Sequence, residues 1–259
     1  RKAAFIIPDG VQVFGGFAGV ETSVAQRPSQ LNPTILSGEI GKSGAADNSY
    51  NVVYIKQAGA STILDGFVIT AGNANGEAAE ANRSRSGGGL FLDGENGACN
   101  PQVRNCTFKN NQSRDGAAVY INGRSGEASP LFDKCEFSDN VAGLDGGAIY
   151  NDGRLNGKSN PTLTNCSFNR NIGTYGGAIC NANESGICNL TMENCSFTGN
   201  EAFLRGGAIV SLNGDEKCYL ELTSCTFSAN YPDDQNMITT STLARSSAFK
   251  VTTSPTSKP

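Results

Sequence analysis

The sequence predicts an all-β solenoid, a single-stranded parallel β-helix of about seven coils over residues 1–230. Three observations carry this. A glycine-rich opening followed by Cys-x-Phe-x-x-Asn recurs five times across 86–230, and Cys106, Cys135, Cys166, Cys195 and Cys225 stand 29, 31, 29 and 30 residues apart. A fixed period of this size, rich in glycine and β-formers, marks stacked units that each bury a face on the next. Ahead of each cysteine, inward residues alternate with polar ones, as with Cys188, Leu190 and Met192 before Cys195, which is strand periodicity. The alternation then slips by one residue at Asn105, Lys134, Asn165, Asn194 and Ser224, after which cysteine and phenylalanine both point inward. A residue that turns the chain while both flanks stay inward is a corner, and asparagine tolerates the left-handed backbone a tight corner needs.

The elements follow in order. Stretches 5–17, 33–40, 51–58 and 62–72 read as strands of two earlier coils without the cysteines, and 73–86 as a polar loop carrying Arg83 and Arg85. Each later repeat holds two short strands joined by the corner and a third that begins at the glycine opening, with loops such as 151–158 and 181–186. Coils about 4.8 Å apart put equal positions into columns and give a rod roughly 35 Å long. The columns are the five cysteines, then Phe108, Phe137, Phe168, Phe197 and Phe227, then Asn111, Asn140, Asn171, Asn200 and Asn230. Stacked asparagines can hydrogen-bond along their column, which satisfies buried amides. Residues 231–259, rich in Ser, Thr and Pro, leave the repeat as a tail, a cap on the last coil or an exchanged strand.

Composition narrows the function classes. With a net charge of −4 and no Lys/Arg cluster, nucleic acid is not an expected partner. No apolar run is long enough for a membrane helix. No leader precedes Arg1, which fits a processed chain or a piece of a longer one. The cysteine column behaves as small apolar residues, although neighbouring coils also lie within disulfide reach. Cys188 and Cys218, adjacent at one register, are the best disulfide candidates. The chain has no His and no Cys-x-x-Cys, so neither a zinc site nor any other cofactor is expected.

The pairing of Gly-Gly-Ala-Ile (146–149, 176–179, 206–209) with Phe-x-x-Asn resembles the repeats of chlamydial polymorphic membrane proteins, over about 86–230. Gly10–Glu21, Thr34–Gly38 and Leu64–Thr70 look like the wider pectin-lyase-like group of secreted bacterial β-helices. The resemblance implies a right-handed helix, display outside the cell or on its surface, and an adhesive or structural role. Self-association, other surface proteins or glycans are then the expected partners.

A glycan-cleaving enzyme is the alternative. Asp115 and Asp145 precede consecutive glycine openings and should stack, as an acid/base pair or Ca²⁺ ligands, or simply as turn residues. The arginines 83, 85, 104, 124 and 154 are expected in loops or outward positions without a convergent acid. No catalytic residue is assigned on this reading. The alternative is a lyase or hydrolase of acidic glycans. Among seven Asn-x-Ser/Thr sequons, Asn82 and Asn183 fall in loops and Asn189 faces outward, so these three would carry glycans on a eukaryotic secretory route. Open coil ends invite end-to-end assembly into a fibre.

Overall fold

A computed structural model describes residues 1–27, 32–41, 44–77, 82–212 and 219–232. It is a parallel β-solenoid of seven levels. One level runs Ile149–Asp152, Thr162–Thr164, Ser167–Asn169 and Ile172–Tyr175, and each strand pairs in parallel with its equivalents above and below. Three of the resulting sheets have seven strands and the fourth has five. The sheets are called first to fourth in the order the chain meets them.

The corner between the second and third sheets forms where the alternation slips. Asn105, Lys134, Asn165, Asn194 and Ser224 have φ between 49° and 56°. The fourth sheet departs from the three strands expected per coil. Its cause is a second left-handed residue after each phenylalanine, at Asn110, Asp139, Arg170, Gly199 and Ala229. This turns the following asparagine inward and starts a new strand direction. The glycine openings are a third corner: Gly146 has φ 66°, and a Cβ on Gly147 would sit 2.0 Å from the Gly177 carbonyl of the next coil.

The columns fill the interior. Neighbouring Phe rings from Phe108 to Phe227 lie 4.6–5.2 Å apart and nearly parallel. Such pairs add about 0.5–1.5 kcal/mol each beyond burial. Beside them, the Asn140 amide donates to Phe108 O (3.0 Å) and Asn171 Oδ1 (2.9 Å), and its Oδ1 accepts the backbone and side-chain N–H of Asn111 (both 3.1 Å). All four of its hydrogen-bonding sites are used. The ladder continues through Asn171 and Asn200 to Asn230. A further polar seam runs inside the first sheet. Ile55, Leu92 and Ile121 are followed in register by Asn151, Asn181 and Ser211. Asn151 donates to Asn181 Oδ1 (3.1 Å), and Asn181 to Ser211 Oγ (3.3 Å).

Of the expected tail, only Tyr231 and Pro232 are described; Tyr231 still pairs with the coil below through Asn200 O (2.8 Å). The rest of 231–259, with its Asp233-Asp234, lies outside the described residues.

Candidate functional site

The ladder residues are structural. Cys106, Cys135, Cys166, Cys195 and Cys225 are buried free thiols, as are Cys99 and Cys180. Each ladder thiol points at a backbone carbonyl of the coil below, Cys135 at Val103 O (3.5 Å) for example. Burial pushes the Cys106 thiol up to about 12 and Cys99 up to about 11. Cys188 is buried, while Cys218 lies outside the described residues.

The chemistry of the molecule gathers on the outer face of the first sheet. Inward residues there alternate with an outward column: Tyr54, Phe91, Tyr120, Tyr150, Cys180 and Val210. From Phe91 to Val210 this column is buried as a second apolar cluster outside the coil. Phe91, Tyr120 and Tyr150 stack at 5.2 and 5.3 Å. Charged groups flank the rings on both sides.

Asp115 and Asp145 come together as expected, on adjacent coils at the entry to this face. Gly116 N donates to Asp145 O at 2.9 Å. Asp115 is buried, with Arg85 Nε 3.7 Å from its Oδ2; Asp145 is half-buried. Burial, then the charge of Asp115, pushes the Asp145 carboxyl up to about 6, against the pull of Arg114 and Arg154. The same burial and the two carboxylates raise the Cys180 thiol.

At the far edge of the rings the structure corrects the expectation that the arginines lack a convergent acid. Asp152 is fully buried and Arg154 grips it in a fork, Nε to Oδ1 and Nη2 to Oδ2, both 2.9 Å. Tyr120 donates its hydroxyl to the same Oδ2 at 2.5 Å, and Arg124 Nη1 stands 3.6 Å away. The Arg154 guanidinium also lies 5.7 Å over the Tyr150 ring. Burial, together with the Asp152 charge, holds the Tyr120 phenol well above its usual range. Two coils lower, Tyr54 donates to Asp93 (2.7 Å) under the Arg83 guanidinium (3.7 Å). Reading the arginines singly missed this network. Its signal was the register column Asp93, Asn122, Asp152, each followed by glycine. A carboxylate with every lone pair engaged has no capacity left for substrate.

The sequon expectations divide. Asn82 is exposed. Asn183 is not an accessible loop residue: it is fully buried, because it continues the tight turn occupied by Gly94, Gly123 and Gly153 in the coils below. Asn189 is half-buried, and its Oδ1 accepts Tyr219 N at 3.0 Å. It belongs to an amide column with Asn100 and Asn160 that caps backbone N–H groups of the coil above.

Among the described residues, no group of three or more His, Cys, Asp or Glu is arranged to hold a metal ion. No helix among them is long and apolar enough to cross a membrane. A family model described as a right-handed beta helix region matches residues 47–230. No curated protein and no solved structure matches the chain. The matched region covers most of the sequence and lies within the stacked coils, so the chain belongs to the right-handed β-helix family.

Proposed function

We propose that this protein is a non-catalytic, extracellular or cell-surface β-helix with an adhesin-like or structural role, as its likeness to polymorphic membrane protein repeats implies. One observation carries the reading: the residues that define the repeat are spent on the ladders, and the most buried outer carboxylate, Asp152, is saturated by Arg154 and Tyr120. Incubating the purified protein with acidic polysaccharides should release neither reducing ends nor unsaturated sugars. Product that disappears in Asp145→Asn would overturn the reading.

That second outcome is the alternative, a lyase or hydrolase of acidic glycans. Asp145 favours it, since a carboxyl pushed up to about 6 beside a second carboxylate has the properties of a general acid. Fibre assembly belongs to the first reading. The first coil exposes Phe5, Ile6 and Ile35, an apolar edge suited to strand pairing with a second copy. Sedimentation showing a concentration-independent monomer would remove the fibre from the reading. Glycans at Asn82 would appear as mass above 27.0 kDa that falls on deglycosylation.

A further inference from the structure

We propose that the cysteine column binds soft monovalent metal cations of the cuprous type, one in each interval between successive sulfurs from Cys135 to Cys225. Cys135, Cys166, Cys195 and Cys225 stand at one register on consecutive coils, and all are buried free thiols. Successive side chains act on one another, Cys135 on Cys166, Cys166 on Cys195 and Cys195 on Cys225. Phe132, Leu163 and Met192 belong to the same apolar cluster, as do Phe137, Phe168 and Phe197, so the sulfurs are the soft donors of an otherwise dry interior.

Spacing sets the coordination. The phenylalanine two residues beyond each cysteine measures the coil repeat at this place: the rings of Phe137, Phe168, Phe197 and Phe227 are 4.6, 4.7 and 4.8 Å apart in turn. A metal–thiolate bond is about 2.3 Å long, so a cation midway between two sulfurs needs them about 4.6 Å apart. The column supplies that interval three times. Between Phe108 and Phe137 the repeat widens to 5.2 Å, which leaves Cys106 outside the series. A straight column offers each cation one sulfur on either side and no third donor, in keeping with the lack of three ligating side chains converging on a point among the described residues. Thiolate pairs of this kind suit Cu(I), whereas Zn²⁺ takes a tetrahedral set.

Charge balance points to the same ion. A net charge in this interior would be costly to bury. Each monovalent cation displaces one thiol proton, which leaves to solvent; the S–H bond breaks, an S–metal bond forms, and the next sulfur completes the pair. Three cations then share four sulfurs with one proton left on the series, and the column stays neutral. A divalent cation consumes two thiolates to stay neutral, so it can fill only alternate intervals.

Anaerobic incubation of the folded, reduced protein with a cuprous acetonitrile complex, followed to a plateau by native mass spectrometry, counts the bound ions, and circular dichroism checks the fold. Cys166→Ala should lose two of the parent's ions, because it ends both intervals that it borders. Cys195→Ala should repeat that loss and serves in its place if the first variant does not fold. Cys225→Ala should lose one ion and Cys106→Ala none. Thiols outside the column contribute equally to every count, so the differences belong to the column. Equal losses in Cys166→Ala and Cys225→Ala would mean that thiols bind independently and would overturn the proposal. So would a parent that takes up no ion, or uptake only with loss of the β-sheet signal. Zn²⁺ should give the same count in parent and variants; a Zn²⁺ count falling in the cuprous pattern would overturn the assignment to a soft monovalent ion.

Discussion

Residues 1–74 and 86–230 wind the same coil from different parts. The repeats stack phenylalanine from Phe108 to Phe227, whereas the earlier coils place Leu36 and Ile69 in that column. The repeats turn their corner on Asn105, Lys134 or Asn165; the earlier coil turns on Gly66, with φ 86°. The continuous asparagine ladder stops at Asn111, whose Oδ1 meets only the backbone of Gly72 below it. Beneath that point, separate amides do the work: Asn48 donates to Ala71 O (2.7 Å), Asn73 to Ala45 O (2.6 Å), and Asn51 to Ser86 O (2.8 Å) and Gly87 O (2.7 Å). The winding therefore depends on corner geometry and strand pairing, which both regions share. The ladders add mutual dependence, because each asparagine completes the bonding of two neighbours.

That difference can be broken or sharpened by substitution. Phe168→Ala removes a ring stacked on both sides and should cost about 3–5 kcal/mol, measured as a shift in urea midpoint at constant slope. Ile69→Ala should cost less; equal losses would mean the stacked rings add nothing beyond volume. Asn171→Leu should cost about 2–3 kcal/mol by stranding Asn140 and Asn200. Adding Asn200→Leu to it should cost less than the sum of the singles, while Asn48→Leu and Asn171→Leu should be additive.

Asp145 offers a pH test confined to the repeats, since serines precede the corresponding strands at Ser49 and Ser86. Its carboxyl is pushed up to about 6 in the folded chain, so the fold holds that proton more tightly than the unfolded chain does. The stabilisation is complete below the ordinary carboxylate range and is lost as pH rises through about 6. Asp145→Asn should therefore melt higher than the parent above that pH and converge with it in acid. The gap should be about 1–2 kcal/mol after allowing for solvent screening. The smallest effect belongs to the repeat corner at Lys134, and the earlier corner at Gly66 contrasts with it. Lys134→Gly should change stability by less than about 1 kcal/mol, relief of left-handed strain offsetting added chain freedom. Gly66→Asn should destabilise clearly, because a Cβ there would lie 2.8 Å from Arg27 and 2.9 Å from the Gly15 carbonyl.

The period, the inward columns and the first corner were legible because each repeats a residue type at a fixed place. The fourth sheet was not, because its corner falls on Asn110, Asp139, Arg170, Gly199 and Ala229, which share no chemistry. At the four positions other than Gly199, stacking imposes the left-handed backbone against a cost of up to about 1–2 kcal/mol per residue. Asn183 misled for the same reason: its neighbours spell a loop, while its burial comes from coils some thirty residues away. The pairing of Asp115 with Asp145 was legible from their shared offset to the glycines. The Asp152 network was not, since it joins Tyr120, Arg124 and Arg154 across coils.

The cysteine column has a consequence for how motion in this molecule can be watched. Only the thiolate reacts, and burial pushes the ladder thiols well above the ordinary thiol range, so little thiolate forms at neutral pH even before steric access is counted. Alkylation of Cys106, Cys135, Cys166, Cys195 or Cys225 must therefore wait for its own coil to open. Mapped by peptide mass against time, the five labelling rates form a clock at each level of the rod, recording where the solenoid begins to unzip and in which direction the opening travels.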